Sequence, residues 1–327
     1  MAFTITTQPF GTLPNAIEPL LEYTITDTTT GEYMTILPGY GGIVRELVLR
    51  KGDTLFSVLR GPESAQALVA DESFASALLF PFPSRVRHGV YGFGDQQYAL
   101  RLNEMSRDNA IHGLVYDKAF SVVSQEVTAT EACLVVRYEH TGDAVGYPFP
   151  FVFTVTYSLK QSAGPLVMHL SYEAENSGST ACPVAFGWHP YFTLNGESVD
   201  DLTLTLPDRM PIALDAAMIP TGRQSIAPAE TIPLAGQEID AIYALHPTEN
   251  AVAETVLHSP KAGVSLVVKQ ETGMGKLDYL VCYTPTRRDS VAIESLTANA
   301  DAFNNGEGLV TLMPGHTLCG DISVRLD

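Results

Sequence analysis

Apolar and polar side chains alternate with period two along much of this 327-residue chain. In Phe151-Val152-Phe153-Thr154-Val155-Thr156-Tyr157-Ser158-Leu159 every odd position is apolar and the even ones are mostly hydroxylated. Leu166-Val167-Met168-His169-Leu170-Ser171-Tyr172-Glu173-Ala174 repeats the pattern, as do Leu202-Thr203-Leu204-Thr205-Leu206 and Ile322-Ser323-Val324-Arg325-Leu326. Successive side chains of a strand point to opposite faces, so each segment predicts a half-buried antiparallel strand. Turn-forming clusters separate them: Pro38-Gly39, Gly41-Gly42, Gly92, Gly94, Asn176-Ser177-Gly178, Asn195-Gly196 and Asn304-Asn305-Gly306. Many short strands with closely spaced turns predict a sandwich or barrel. One helix is predicted, over residues 63–79, where Ala and Leu are frequent. No low-complexity linker and no repeat of fixed period divides the chain, so residues 1–327 read as one large all-β domain.

Composition narrows the function classes. Nineteen Lys and Arg face 37 Asp and Glu, a formal charge of −18. That balance argues against a nucleic-acid-binding surface. No window is apolar enough for a membrane helix, and the start lacks the basic and apolar regions of a signal peptide; the expectation is a soluble, cytoplasmic protein. Cys133, Cys182, Cys282 and Cys319 are far apart, with no Cys-x-x-Cys, and read as buried free thiols rather than as zinc ligands. The glycine-rich stretches do not match a dinucleotide fingerprint, and Walker A, His-Glu-x-x-His and Gly-x-Ser-x-Gly motifs are absent. The apolar fraction of 45% permits either a monomer or a homodimer.

Four segments depart from routine strand chemistry. Pro81-Phe82-Pro83-Ser84-Arg85-Val86-Arg87-His88-Gly89 sets basic groups among prolines and aromatics. Asn109-Ala110-Ile111-His112-Gly113 places a His before a Gly, and Phe186-Gly187-Trp188-His189-Pro190-Tyr191-Phe192 a His among aromatics. Val291-Ala292-Ile293-Glu294-Ser295 drives a carboxylate into an apolar strand. Alternation puts Glu294 on the same face as Ala292 and Leu296, where a carboxylate without a partner is costly. Taken singly, His189 reads equally as a core histidine, His112 as a turn residue and Arg85 as a salt-bridged loop residue. His169 lies on the polar face of its strand and reads as solvated. His88, His140, His246, His258 and His316 read as surface or turn residues.

In combination these segments resemble the aldose 1-epimerase (galactose mutarotase) family, in the same order. The matching stretches are Pro81-Phe82-Pro83-Ser84-Arg85-Val86, Asn109-Ala110-Ile111-His112-Gly113, His189-Pro190-Tyr191-Phe192-Thr193-Leu194 and Glu294-Ser295-Leu296-Thr297, followed by Asp301-Ala302-Phe303-Asn304 and Met313-Pro314-Gly315-His316. Ser84 stands where the family usually has Asn, and Ser295 where it has Pro. The resemblance implies a β-supersandwich with an open concave sugar cleft. It implies Glu294 as general base, His189 as general acid, and Arg85 and His112 as sugar-binding residues. Asp240, in Glu238-Ile239-Asp240-Ala241-Ile242-Tyr243, is the best match to a hydroxyl-gripping Asp and reads nearly as well as an ordinary loop acid.

Mutarotation suits these residue types. One group removes the proton of the C1 hydroxyl and another protonates the ring oxygen, with no metal or cofactor required. A Glu with an ordinary pKa near 4.3 is ionised at neutral pH, and its charge would raise a neighbouring His. Phe82, Trp188 and Tyr191 could stack on a sugar or pack the core. Tyr116 stands near the place where hexose-6-phosphate enzymes of this fold tend to carry Arg, although Arg87, Arg287 and Arg288 could still hold a phosphate. Two further readings compete: a glycoside hydrolase or lyase, which usually needs a second carboxylate, and a non-catalytic sugar-binding module, which needs no Glu–His pair.

Overall fold

The computed structural model describes residues 2–246 and 251–327, so residue 1 and segment 247–250 of the expected 1–327 unit lie outside the described residues. The architecture is an antiparallel β-supersandwich. Its longest sheet has nine strands, ordered Ser121–Val127, Glu131–His140, Phe151–Lys160, Val167–Asn176, Thr317–Leu326, Val264–Glu271, Val252–Ser259, Thr203–Leu206 and Glu230–Pro233. The C-terminal strand is thus central, and all four segments with clear alternation lie in this sheet. Phe151, Phe153, Val155, Tyr157 and Leu159 are buried on one face while Val152, Thr154 and Thr156 are half-exposed. Burying each such apolar side chain contributes about 1.5–3 kcal/mol. A five-stranded meander from Phe3–Gly11 to Thr54–Ser57 flanks this core. Tyr157 ties the two together by donating its hydroxyl to the Gly42 carbonyl.

Glu294, His189 and Asp240 sit on an eight-stranded sheet ordered Pro220–Arg223, Arg209–Leu214, Asp240–Leu245, Tyr279–Tyr283, Val291–Leu296, Gly187–His189 and Ala77–Leu79, with Tyr191–Phe192 also pairing to Val291–Leu296. One face supplies Trp188, Tyr243, Leu280, Cys282, Val291 and Ile293 to the main core. Directly opposed residues in antiparallel strands share a face, so the other face carries Ala292, Glu294 and Leu296, their partners Tyr283, Val281 and Tyr279, and Asp240 opposite Tyr283.

The predicted helix over 63–79 is mostly not a helix. Only Ala65–Ala70 is helical, and Ala77–Leu79 is the edge strand beside His189. The Asp71 carboxylate accepts from the Ser73 and Ala75 backbone N–H groups at 3.2 and 3.0 Å. That Asx-type arrangement turns the chain out of the helix. Cysteines are all free, but only Cys182 and Cys282 are buried, whereas Cys319 is exposed. His140 is a buried residue, not a surface one: its ring lies 4.9 Å from Phe151, and Nε2 is 3.2 Å from the Tyr147 carbonyl. His169 is paired with Asp321 at 3.1 Å rather than simply solvated. Among the described residues no helix is long and apolar enough to cross a membrane.

Candidate active site

Glu294 lies in a strand whose six residues are all buried. Val291 and Ile293 point into the core, and Ser295, where the family has Pro, donates its hydroxyl to the buried Gln270 Oε1 at 3.0 Å. Glu294 therefore faces the opposite side, between Ala292 and Leu296. The register of Gly187 with Leu296 and Trp188 with Ser295 brings His189 alongside it. His189 Nε2 lies 3.3 Å from Glu294 Oε1, and both side chains are buried. Pro190 cannot donate to a ladder, so the strand is interrupted there and resumes in the same register at Tyr191–Phe192; Tyr191 stacks on His189 with ring centroids 5.1 Å apart.

His112 joins this pair edge-on, 5.1 Å from the His189 ring centre. Its backbone is left-handed, φ +65°, an uncommon conformation for a residue with a Cβ. The position is over-determined: His112 N–H donates to Ser84 O at 2.8 Å and Leu114 N–H to Phe80 O at 2.7 Å. Gly113, φ +74°, has no alternative, because a Cβ there would lie 2.3 Å from the Phe80 carbonyl oxygen. Nδ1 of both His112 and His189 is buried without a hydrogen-bond partner among the described residues.

Arg85 begins the short strand Arg85–Arg87, which pairs with Asn109–Ile111. Asp301 holds this strand from the other side. It donates its N–H to the Arg85 carbonyl at 2.6 Å and accepts from Arg87 N–H and Asn304 Nδ2 at 2.9 and 2.7 Å. Nε and Nη2 of Arg85 donate to Glu104 at 2.8–3.1 Å, leaving Nη1 outside that fork. Asp240 is exposed at the end of its strand, on the Glu294 face and at its rim.

The electrostatics reverse one sequence-based expectation. Burial raises the Glu294 carboxyl to about 8; Arg85 opposes that rise and Asp240 adds to it. Burial lowers His189 to about 4, opposed in part by the charge of Asp71. Loss of water disfavours the charged form of each group, so the carboxyl moves up and the imidazole down. At neutral pH the two groups share one proton. His112 is held well below the ordinary histidine range by burial, then by His189 and Arg85, and is neutral.

Of the aromatics read as able to stack on a sugar or pack the core, Phe82 packs against Phe303 and Trp188 against Phe192, both in the core. Conversely, Asp71 and Glu104 were not legible as site residues. Asp71 acts on His189 from a separate segment, with only its Asx-turn spacing to Ser73 as a signal; Glu104 stands in a polar run that gives none. Among the described residues no group of three or more His, Cys, Asp or Glu is arranged to hold a metal ion.

Comparison with known proteins identifies the fold and the family. The solved structure of a galactose mutarotase-like protein from Clostridium acetobutylicum superposes with a TM-score of 0.81 at 20% identity, covering 100% of this chain and 99% of that one. Galactose 1-epimerase from Lactobacillus acidophilus gives 0.78 at 17% identity, with 99% of each chain covered. The Escherichia coli protein YihR is 28% identical over 242 residues, 73% of this chain and 74% of its own. The family model for aldose 1-epimerase matches residues 23–325. The chain belongs to the aldose 1-epimerase family.

Proposed function

We propose that this protein is an aldose 1-epimerase that interconverts the α and β anomers of a free aldohexose. The observation that carries the reading is the buried Glu294–His189 pair at 3.3 Å. Ring opening needs one proton acceptor and one proton donor, and the pair holds a single proton. In the opening step Glu294 takes the proton of the C1 hydroxyl while His189 protonates the ring oxygen. For that, the shared proton lies on His189 when the sugar is bound. Arg85 favours the ionised Glu294, and Asp71 favours the protonated His189. Rotation about C1–C2 in the open-chain aldehyde exposes the other carbonyl face, and reclosure runs the transfers in reverse, so each group serves once as acid and once as base. Arg85, His112 and Asp240 bind the ring and its hydroxyls in this reading.

The charge distribution favours an unphosphorylated substrate. Arg87 is paired with Asp215, Arg288 with Asp200 at 2.7 Å, and Arg287 and Arg60 share Asp289 at 3.5 and 3.3 Å. A phosphate would have to displace a carboxylate from one of these arginines.

The test is polarimetric. Freshly dissolved α-glucose or α-galactose should reach an unchanged equilibrium faster with the protein than without it. No acceleration on free sugars together with acceleration on hexose 6-phosphates would move the substrate to the phosphorylated class. Sugar binding without acceleration on either would favour a non-catalytic module.

A further inference from the structure

Residues 71–76 link the short helix Ala65–Ala70 to the edge strand Ala77–Leu79 beside His189. Two contacts fix this link against the strands that carry His189 and Tyr191, and two more hold it internally. Ser76 N–H donates to the His189 carbonyl at 2.9 Å, and the Tyr191 hydroxyl donates to the Ser73 carbonyl at 3.2 Å. Within the link, Asp71 accepts from the Ser73 hydroxyl at 2.6 Å and from the Ala75 N–H at 3.0 Å. Phe74 and Ser76 both have left-handed backbones, φ +56° and +60°. A bulky aromatic residue in that region is a true outlier and needs surroundings that impose it.

The strain delivers the Phe74 ring to the site. Its centroid lies 4.7 Å from that of His112 and 5.1 Å from that of Tyr116, edge-on to both. Phe74 and Tyr116 are only half-buried, although Ala75 and Ser76 beside them are buried. A fixed, part-exposed apolar wall next to buried polar groups with unpartnered nitrogens suits a ligand with one apolar face and a polar rim. A pyranose ring, with C–H groups on its faces and hydroxyls around its edge, is such a ligand.

We infer that Phe74 is a sugar-contact residue that helps set which pyranose the cleft accepts, held in place by the 71–76 link. The inference rests on the aldose 1-epimerase reading and deepens it. Phe74→Leu keeps apolar volume but removes the ring, whereas Phe74→Tyr keeps the ring. In anomerisation assays Phe74→Leu should raise KM roughly tenfold with kcat within about twofold, and Phe74→Tyr should remain near wild type. A wild-type KM in Phe74→Leu, or a fall in kcat at unchanged KM, overturns the contact. Near-ultraviolet circular dichroism checks that each variant is folded; should Phe74→Leu unfold, Phe74→Met takes its place. If wild type accelerates no sugar, the function reading fails on its own. The contact is then read by saturation-transfer NMR with methyl α-glucopyranoside and methyl α-galactopyranoside, which cannot open. Signal lost in Phe74→Leu and kept in Phe74→Tyr supports it; equal signal in all three proteins, or none in wild type, overturns it.

Discussion

Glu294 is raised to about 8 and His189 lowered to about 4 by the same cause, removal from water. The single-proton form therefore prevails between those values, and only that form contains both an acid and a base. The anomerisation rate should follow a bell, failing toward pH 4 as a second proton binds and above pH 8 as the last one leaves. A flat profile from pH 4 to 9 would rule out the shared-proton pair. The same shifts act on stability. Glu294 moves up from 4.5, so the folded state holds its proton more tightly; this contribution is present below pH 4.5 and lost as pH rises through 8. His189 moves down from 6.5, so its contribution is present above pH 6.5 and lost as pH falls through 4. Glu294→Gln should therefore melt higher than wild type at pH 9, by on the order of 1–3 kcal/mol, with the gain shrinking toward pH 5. Thermal melts across that range check the sign; an equal difference at both ends contradicts it.

Elements determine how these side chains meet. The Arg85–Arg87 strand is only three residues long and is held by Asn109–Ile111 on one side and Asp301 on the other. Asp301→Ala should loosen that strand, raising the KM for sugar roughly tenfold with a smaller effect on kcat and costing about 1–3 kcal/mol of stability. Asp301→Asn, which keeps an acceptor oxygen, should lie between the two. Steady-state kinetics beside denaturant melts separate these effects. Long strands were legible because alternation needs only one buried face, as in Phe151–Lys160. The helix over 63–79 was misjudged because Ala and Leu counts do not reveal that Asp71 captures Ser73 and Ala75. Glu294 was legible as a misplaced carboxylate. Glu104 was not, since its role lies in contacts made only on folding, with Arg85, 19 residues away, and with Asn109 and Arg107.

At the scale of the molecule, the main core supports a sheet whose other face carries Glu294, His189 and Asp240. Phe153 lies fully buried between Phe80 and Phe186, and Phe153→Ala should cost about 3–5 kcal/mol without changing the pH limbs of activity. The order of the four site segments was visible in the sequence, but their convergence was not. It depends on register between Gly187–His189 and Val291–Leu296 and on a left-handed His112. The upward shift of Glu294 and the downward shift of His189 were invisible too, because desolvation belongs to the folded environment. The net charge of −18 and the pairing of Arg87, Arg287 and Arg288 favour neutral sugars over their phosphates. The most direct measurement is polarimetry on fresh α-glucose and α-galactose with wild type and Glu294→Gln, alongside NMR detection of sugar binding. The expected result is acceleration by wild type and at least a hundredfold loss in Glu294→Gln with binding retained. Unchanged anomerisation in Glu294→Gln would contradict the assignment of the chemistry to the Glu294–His189 pair.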